Sequence, residues 1–360
     1  MSSKQRFLSL DVMRGLTLAL MILVNTPGSW SAVYAPLLHA DWHGATPTDF
    51  VFPFFLFIVG SALFFSSRSR TTMSTSARLM KIVWRSAIIF LIGVLLNWFP
   101  FTSSLAELRI PGVLQRIALA YLLAAPIALF VPGTIRLVVM AGLLLGYWAL
   151  LQLGQDPYSV TGSVVRQVDL WVFGADHVWQ GKGVAFDPEG LLSTLPAVVT
   201  ALLGFEATRL LVTAESRRKG LMQLGILGAV LVVLSLIWHP FFPINKYLWT
   251  SSFVLLTGGA ATLVLVGLVL LEPWRGIQPV YRAFAMLGQN PLFIYVLSIL
   301  WAKVLYMIPV GDVSAYQWIY LQFSELLSPK NASLLFALLS VAVMWLVAWW
   351  LARKRIVISI

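Results

Sequence analysis

The sequence predicts an all-α, polytopic membrane protein of about ten transmembrane helices with both termini in the cytoplasm. Three observations predict it. Hydrophobic residues make up 59% of the 360 and charged residues only 11%, with a mean hydropathy of +0.86. That is more apolar surface than a water-facing fold can hide. Apolar stretches of about 20 residues, the length that crosses a bilayer, recur along the whole chain. Between them the cations fall mostly on one side, as the positive-inside rule requires.

The expected spans run near 7–27, 49–67, 82–100, 111–131, 135–153, 190–211, 220–238, 247–271, 283–307 and 331–351. The first has a basic start, but Asp11 and Arg14 interrupt it and no small-residue cleavage site follows. It is therefore expected to be a retained span and not a signal peptide. The second follows the outer stretch LLHADWHGATPTDF, and the fourth, in RIPGVLQRIALAYL, carries Arg116. One long polar segment, 154–189, precedes the sixth span, which Asp187 and Glu189 lead into; Asn245 and Lys246 lead into the eighth. Asn290 and Pro291 lie inside the ninth, where proline frees a backbone carbonyl and bends the helix. No soluble domain or repeat stands out, so one membrane domain over 1–360 is expected.

With the N-terminus inside, the cytoplasmic segments and helix ends hold Lys4, Arg6, Arg14, Arg68, Arg70, Arg78, Lys81, Arg85, Arg136, Arg209, Arg217, Arg218, Lys219, Arg275, Arg282, Arg353, Lys354 and Arg355. The outer side holds Arg109, Arg166, Lys182, Lys246, Lys303 and Lys330, and Arg116 is within a helix. The net charge of +11 is thus topogenic, and no nucleic-acid partner is needed to explain it. The absence of cysteine excludes disulfides, thiolate metal sites and a cysteine nucleophile.

Two of the four histidines, His39 and His43, share the first outer loop with Asp41 and Trp42, and Asp49 starts the second span. A solvated loop with an interfacial tryptophan is the plain explanation. Other polar residues fall at the same level, however: Asn25, Arg109, Arg116, Asp187, Glu189, Asn245 and Lys246. An arginine within a span must face the bundle interior, paired or hydrated, and Asp49 is the expected partner of Arg116. Gln115 beside it suits an interhelical hydrogen bond. Together these outline an outer polar site in which Trp42, Arg116, Asp187, Asn245 and Lys246 are the expected substrate-binding residues. His39 or His43 can serve as base, nucleophile or proton relay. There is no HExxH, Walker, GxGxxG or GxSxG motif, and no metal is expected. The residues alone allow an enzyme or a transporter.

The blocks SLDVMRGLTLALMILVN, HADWHGATPTDFVFPFFLFIVG, RIPGVLQR, FDPEGLLSTLPAVVTALLG and NKYLWTSSFV occur in that order. They resemble the transmembrane acetyltransferases typified by lysosomal heparan-α-glucosaminide N-acetyltransferase, and the bacterial relatives of amino-sugar loci. The resemblance implies transfer of an acetyl group from cytosolic acetyl-CoA to the amine of a glucosamine-type sugar on the far side of the membrane. It implies that His39 is the active-site histidine and that Asn25 is the family's asparagine at the outer end of the first span. His43 stands where the lysosomal enzyme has asparagine. A multi-pass protein of the bacterial inner membrane is expected, lacking the lysosomal enzyme's extra lumenal region; a homodimer is compatible with it.

The chemistry suits these residues. A protonated amine cannot attack a thioester, and imidazole, with an ordinary pKa near 6.5, can take its proton. Alternatively it can carry the acetyl group itself. Asn25 can donate to the developing oxyanion, and Asp49 can orient the imidazole or pair with Arg116. Arg14, Arg78, Lys81 and Arg85 at the inner helix ends are the expected contacts for the CoA phosphates, Arg14 foremost, although each also serves as a positive-inside anchor. The rival reading is a proton-coupled amino-sugar carrier with His39, Asp49 and Arg116 as its relay.

Reporter fusions test the topology: one at Ser2 and one at the C-terminus should both read cytoplasmic. A C-terminal reporter on the other side would mean an odd number of crossings.

Overall fold

A computed structural model describes residues 7–68 and 73–358. Lys4, Arg6 and Arg70, counted above among the cytoplasmic cations, lie outside the described residues. The thirteen helices among the described residues are α1 (Leu8–Asn25), α2 (Val51–Arg68), α3 (Thr75–Trp98), α4 (Val113–Phe130), α5 (Gly133–Leu151), α6 (Val164–Phe173), α7 (Thr194–Thr213), α8 (Arg217–Trp238), α9 (Ser251–Leu271), α10 (Gln278–Leu287), α11 (Pro291–Met307), α12 (Ala315–Ser324) and α13 (Pro329–Arg353). A two-residue hairpin, β1 (Pro309–Val310) with β2 (Val313–Ser314), joins α11 to α12. Nine of the described helices are long and apolar enough to cross a bilayer, and a bent pair makes ten if it crosses once.

The residues form two compact units. The first comprises 7–40, 46–55 and 267–358. In it α1 packs on α10, α11 and α13. Glycine permits the closest of these contacts: a Cβ on Gly15 would lie 1.8 Å from the Phe284 carbonyl oxygen, and one on Gly288 would lie 2.3 Å from that of Asp11. Val12, Tyr281 and Ala285 fill the space beside them.

The ninth expected span, 283–307, is not one helix. α10 begins earlier, at Gln278, and α11 starts at Pro291, bent 75° from the preceding helical segment. Proline supplies no N–H and sterically excludes the preceding turn, so the chain breaks at Gly288–Gln289–Asn290. The opened backbone sits beside a buried amide. Asn290 Nδ2 donates to the Ile356 carbonyl at 3.1 Å, and the Ile358 N–H donates to Asn290 Oδ1 at 2.7 Å. The C-terminal segment is thereby tied to the break.

The second unit comprises 41–45 and 56–266. α7 is its centre and packs on α4, α5 and α8, while α3 packs on α4. α2 and α7 approach through reciprocal glycines. A Cβ on Gly60 would lie 1.7 Å from the Ala201 carbonyl oxygen, and one on Gly204 would lie 1.8 Å from that of Phe57. Small residues at crossing points are how lipid-embedded helices gain packing contact. α3 starts at Thr75, seven residues before the expected 82, because the Ser74 hydroxyl caps it by accepting the Ala77 N–H. The helix therefore includes the cations that precede its apolar stretch. α6, within the long polar segment, was not expected as a helix. Ten residues are too few to register as a span.

Gly204→Ala should lower the thermal midpoint in detergent, with a cost of about 1–3 kcal/mol or more for overpacking against backbone. Gly142→Ala, where a Cβ would meet nothing within 4 Å, should not.

Candidate functional site

The loop from α1 to α2 is organised by one carboxylate. Thr46-Pro47-Thr48-Asp49 forms a capping box at a short 3₁₀ turn, Pro47–Phe50, a sequence signature that marks a helix start. Asp49 Oδ2 accepts the backbone N–H of Thr46 at 2.8 Å, that of Ala40 at 3.1 Å and the Thr46 hydroxyl at 3.1 Å. Its Oδ1 lies 2.7 Å from His39 Nδ1. The Asp49 side chain is fully buried, whereas 37% of the His39 side chain is exposed.

This geometry sets the chemistry of the ring. A carboxylate held by three donors accepts a fourth from Nδ1, so the imidazole proton sits on Nδ1 and Nε2 carries the basic lone pair. A carboxylate, an oriented imidazole and a solvent-reaching edge are the parts of a general base. Of the two roles open to Asp49, the structure shows the imidazole. Asn25 is exposed at the last position of α1.

Residues 41–45 belong to the second unit and are tied there. The Gly44 N–H donates to the Ile244 carbonyl at 2.7 Å, and Gly44 pairs with Asn245 in a parallel bridge. Buried Asn245 holds its own turn by accepting the Leu248 N–H at 2.8 Å, and its Nδ2 lies 3.4 Å from His43 Nδ1. Burial, with His239 nearby, pulls the His43 imidazole below its ordinary value, against the opposing pull of Asp156. Trp42 is no lipid anchor. Its indole N–H donates to the Tyr158 carbonyl at 2.6 Å, and its ring stacks on Tyr247 at 5.3 Å and meets Phe186 edge-on. Lys182 places its ammonium on the Asp41 carbonyl and 4.6 Å from the Tyr247 ring centre. Lys246 is half-buried in the turn beside Asn245.

The other outer polar residues form a separate network in the same unit. Arg109 grips Asp187 bidentately, at 2.8 Å twice, and reaches Glu189 at 2.7 Å. Asp187, fully buried, also accepts the N–H groups of Trp179 and Glu189 at 3.0 Å each, so both of its oxygens are taken. Arg116 is fully buried. Its Nη2 donates to the Gly190 carbonyl at 3.0 Å and to the Ser193 hydroxyl, and its guanidinium lies 5.0 Å from the Trp249 ring centre. These described bonds are not to the expected partner, Asp49. A backbone carbonyl and a hydroxyl from the segment leading into α7 do part of a carboxylate's work. Sequence reading missed Gly190, Ser193 and Asp169 as site residues; the first two lie in the block FDPEGLLSTLPAVVTALLG, but a glycine carbonyl and a serine hydroxyl in it give no sign of a partner.

The four inner cations divide between the units. Arg14 Nη1 donates to Asp11 at 2.9 Å and to the Gly288 carbonyl at 3.2 Å, where α10 ends. Arg78, Lys81 and Arg85 share α3. Arg78 lines a small groove with Ser66, Ser67 and Tyr121. Arg85 stacks on Tyr121 at 5.1 Å, and Lys81 is exposed.

A family model described as "Heparan-alpha-glucosaminide N-acetyltransferase, catalytic" matches residues 6–235. Human heparan-alpha-glucosaminide N-acetyltransferase is 30% identical over 351 residues, covering 81% of this chain and 52% of the relative. Its mouse counterpart is 30% identical over 357 residues, covering 82% and 53%. The chain spans about half the length of the curated relatives it matches.

Asp169 in α6 offers a test of the buried network by pH. Its Oδ1 accepts the Leu191 N–H at 2.7 Å. Burial, reinforced by Asp187 and opposed by the Leu191 N–H and Arg116, pushes its carboxyl from an ordinary 3.8 to about 7. The folded state therefore holds this proton more tightly than the unfolded chain. The stability this provides is complete below about 4 and is lost as pH rises towards 7. Asp169→Asn should flatten that slope: the difference in thermal midpoint between wild type and variant should grow in favour of the variant from pH 4 to pH 7.

Proposed function

The chain belongs to the heparan-alpha-glucosaminide N-acetyltransferase family, and on that premise we propose that it transfers an acetyl group from cytosolic acetyl-CoA to the amine of a glucosamine-type sugar on the other side of a bacterial inner membrane. The observation that carries this reading is the 2.7 Å contact between His39 Nδ1 and the buried Asp49 carboxylate. It leaves Nε2 as the base that such a transfer needs.

In the proposed step, His39 Nε2 takes a proton from the sugar's ammonium group and the freed amine attacks the thioester carbonyl carbon. The carbonyl oxygen gains charge, and Asn25, exposed at the end of α1, donates to it. The C–S bond then breaks, the imidazolium returns its proton to the departing thiolate, and the second proton of the attacking nitrogen is released to water as the amide forms. Direct transfer, in which no acetyl group is held by the protein, is put ahead of an acetyl-imidazole intermediate as the route with fewer steps. The tautomer set by Asp49 also leaves Nε2 nucleophilic, so the two routes are separated by experiment.

Within the first unit Arg14 is the candidate for the phosphates of CoA; within the second, the candidates are Arg78, Lys81 and Arg85 on α3. Asp11 and Arg14 share a helical face, and Arg78 and Arg85 flank Tyr121. In the second unit Lys246 is assigned to the acceptor. Trp42, Asn245, Asp187 and Arg116, whose described bonds go to protein groups, are read as supports that shape acceptor-facing loops.

Two substitutions test the base. His39→Ala should lower acetyl transfer to glucosamine by roughly 10²–10⁴-fold while acetyl-CoA still raises the thermal midpoint; His43→Asn should retain most activity. Asp49→Asn is the finer probe. Three donors would claim the amide oxygen, turning its NH₂ towards His39 and forcing the proton to Nε2. The turnover number should fall by about 10² or more, with KM little changed. Labelled acetyl-CoA without acceptor marks His39 only if an acetyl-enzyme forms. Unimpaired transfer in His39→Ala would remove His39 from the reaction, whereas transport of glucosamine by wild type without any acetyl transfer would favour the carrier.

For the donor, Arg14→Ala should weaken the thermal shift produced by acetyl-CoA. Equal shifts in wild type and variant would remove Arg14 from the donor site.

A further inference from the structure

α6 buries an acid beside a core valine and exposes a tryptophan. Its buried positions, four apart and so on one face, are Val165 and Asp169, while Trp171 is 86% exposed and Val172 42%. A helix lying in water buries its tryptophan and exposes its acid. Here the acid points inward to the Leu191 N–H at 2.7 Å, and Arg166 spends its Nε on the Ala185 carbonyl at 2.7 Å. The outer face keeps one polar side chain, Gln167, beside Trp171 and Val172.

The position of α6 says what that face meets. It begins where α5 ends: a Cβ on Gly154, three residues past Leu151, would lie 2.8 Å from the Gly162 carbonyl oxygen and 3.3 Å from a Val164 methyl. α5 is a candidate membrane span, and its outer surface is apolar through Leu145, Leu150 and, just beyond it, Leu153, which is 76% exposed. The start of α6 therefore lies at the depth where a span leaves the hydrocarbon. At 1.5 Å per residue its ten residues cover about 15 Å, half of the ~30 Å core, so it cannot be a crossing. Tryptophan is the side chain that settles at the boundary between lipid tails and headgroups.

We propose that α6 is an in-plane interfacial helix, with Trp171 and Val172 inserted into the outer-leaflet boundary of the protein's own bilayer. Lipid seats one face of the helix and Asp169 ties the other to the Gly190–Leu191 segment, whose Gly190 carbonyl is held by Arg116. The bilayer surface thereby bears on the segment that leads into α7. This assignment needs only the membrane-spanning architecture and is independent of the proposed reaction.

The chain has no cysteine, so a single introduced thiol is labelled uniquely. Nitroxide-labelled Trp171→Cys, Val172→Cys and Gln180→Cys variants of the full chain, reconstituted in phosphatidylethanolamine–phosphatidylglycerol nanodiscs, would be compared by spin-relaxation accessibility. Labels at 171 and 172 should favour oxygen over a water-soluble nickel chelate, and the label at 180, on an exposed loop residue, should favour nickel. Val172→Cys keeps the tryptophan and guards against a local effect of losing it. Nickel accessibility at 171 and 172 equal to that at 180 would overturn the proposal. So would dipolar broadening between labels at 171 of two molecules, which would show that a second copy covers this face.

Discussion

The first outer loop depends on the removal of one carboxylate from water. An ionised group buried without partners costs several kcal/mol, and pairing offsets that only when the remaining lone pairs are also met. Asp49 meets them with two backbone N–H groups, a hydroxyl and an imidazole. Each donor fixes a different part of the chain: Thr46 the entry to α2, Ala40 the loop backbone next to the imidazole, and His39 the ring itself. The loop conformation and the orientation of the imidazole are thus consequences of the same desolvated charge. An imidazole on a loop would ordinarily be imprecisely placed; here it is held to a helix start.

The second unit repeats that economy with the signs exchanged. Inside α5 and α7, Arg136 donates to Glu206 and to the Ala128 and Val131 carbonyls, while Arg209 takes the other Glu206 oxygen at 2.6 Å. No lipid-facing helix tolerates such groups unpaired. Grouping them lets buried Arg136, half-buried Arg209 and buried Glu206 compensate one another.

What the sequence revealed follows from the range of each interaction. Spans were legible because hydropathy is a sum over neighbouring residues, and lipid makes that sum decisive. The Asn290–Pro291 break was visible as a bend, but its size was not, because Asn290 is stabilised by Ile356 and Ile358 from the far end of the chain. α6 was hidden because it buries an acid and exposes a tryptophan. The His39-to-Gly44 block marked the histidine through family resemblance, and Thr46-Pro47-Thr48-Asp49 held a readable capping box that explains Asp49. The choice between His39 and Arg116 as the partner of Asp49 was not readable, since both satisfied the same charge argument. Glu206 carries no local signal inside the span 190–211, because its partners, Arg136 and Arg209, read in the sequence as ordinary helix-end cations.

Arg116 shows how two distant sequence blocks become one device. RIPGVLQR carries Arg109 and Arg116 seven residues apart, and FDPEGLLSTLP carries Asp187, Glu189, Gly190 and Ser193. Arg109 takes the two carboxylates of the second block, and Arg116 takes its Gly190 carbonyl and Ser193 hydroxyl. The arginines themselves are set by the first block's backbone: Asn97 Nδ2 donates to the Arg109 and Pro111 carbonyls at 3.0 Å each, fixing the non-helical run before α4. One arginine binds side chains and the other binds a carbonyl and a hydroxyl, so neither can slide along the segment without losing its own partners. Removing Arg109 would strand Asp187 as a buried charge with only N–H donors. Removing Arg116 would open a hole against Trp249. The two blocks are thus the two halves of one clamp.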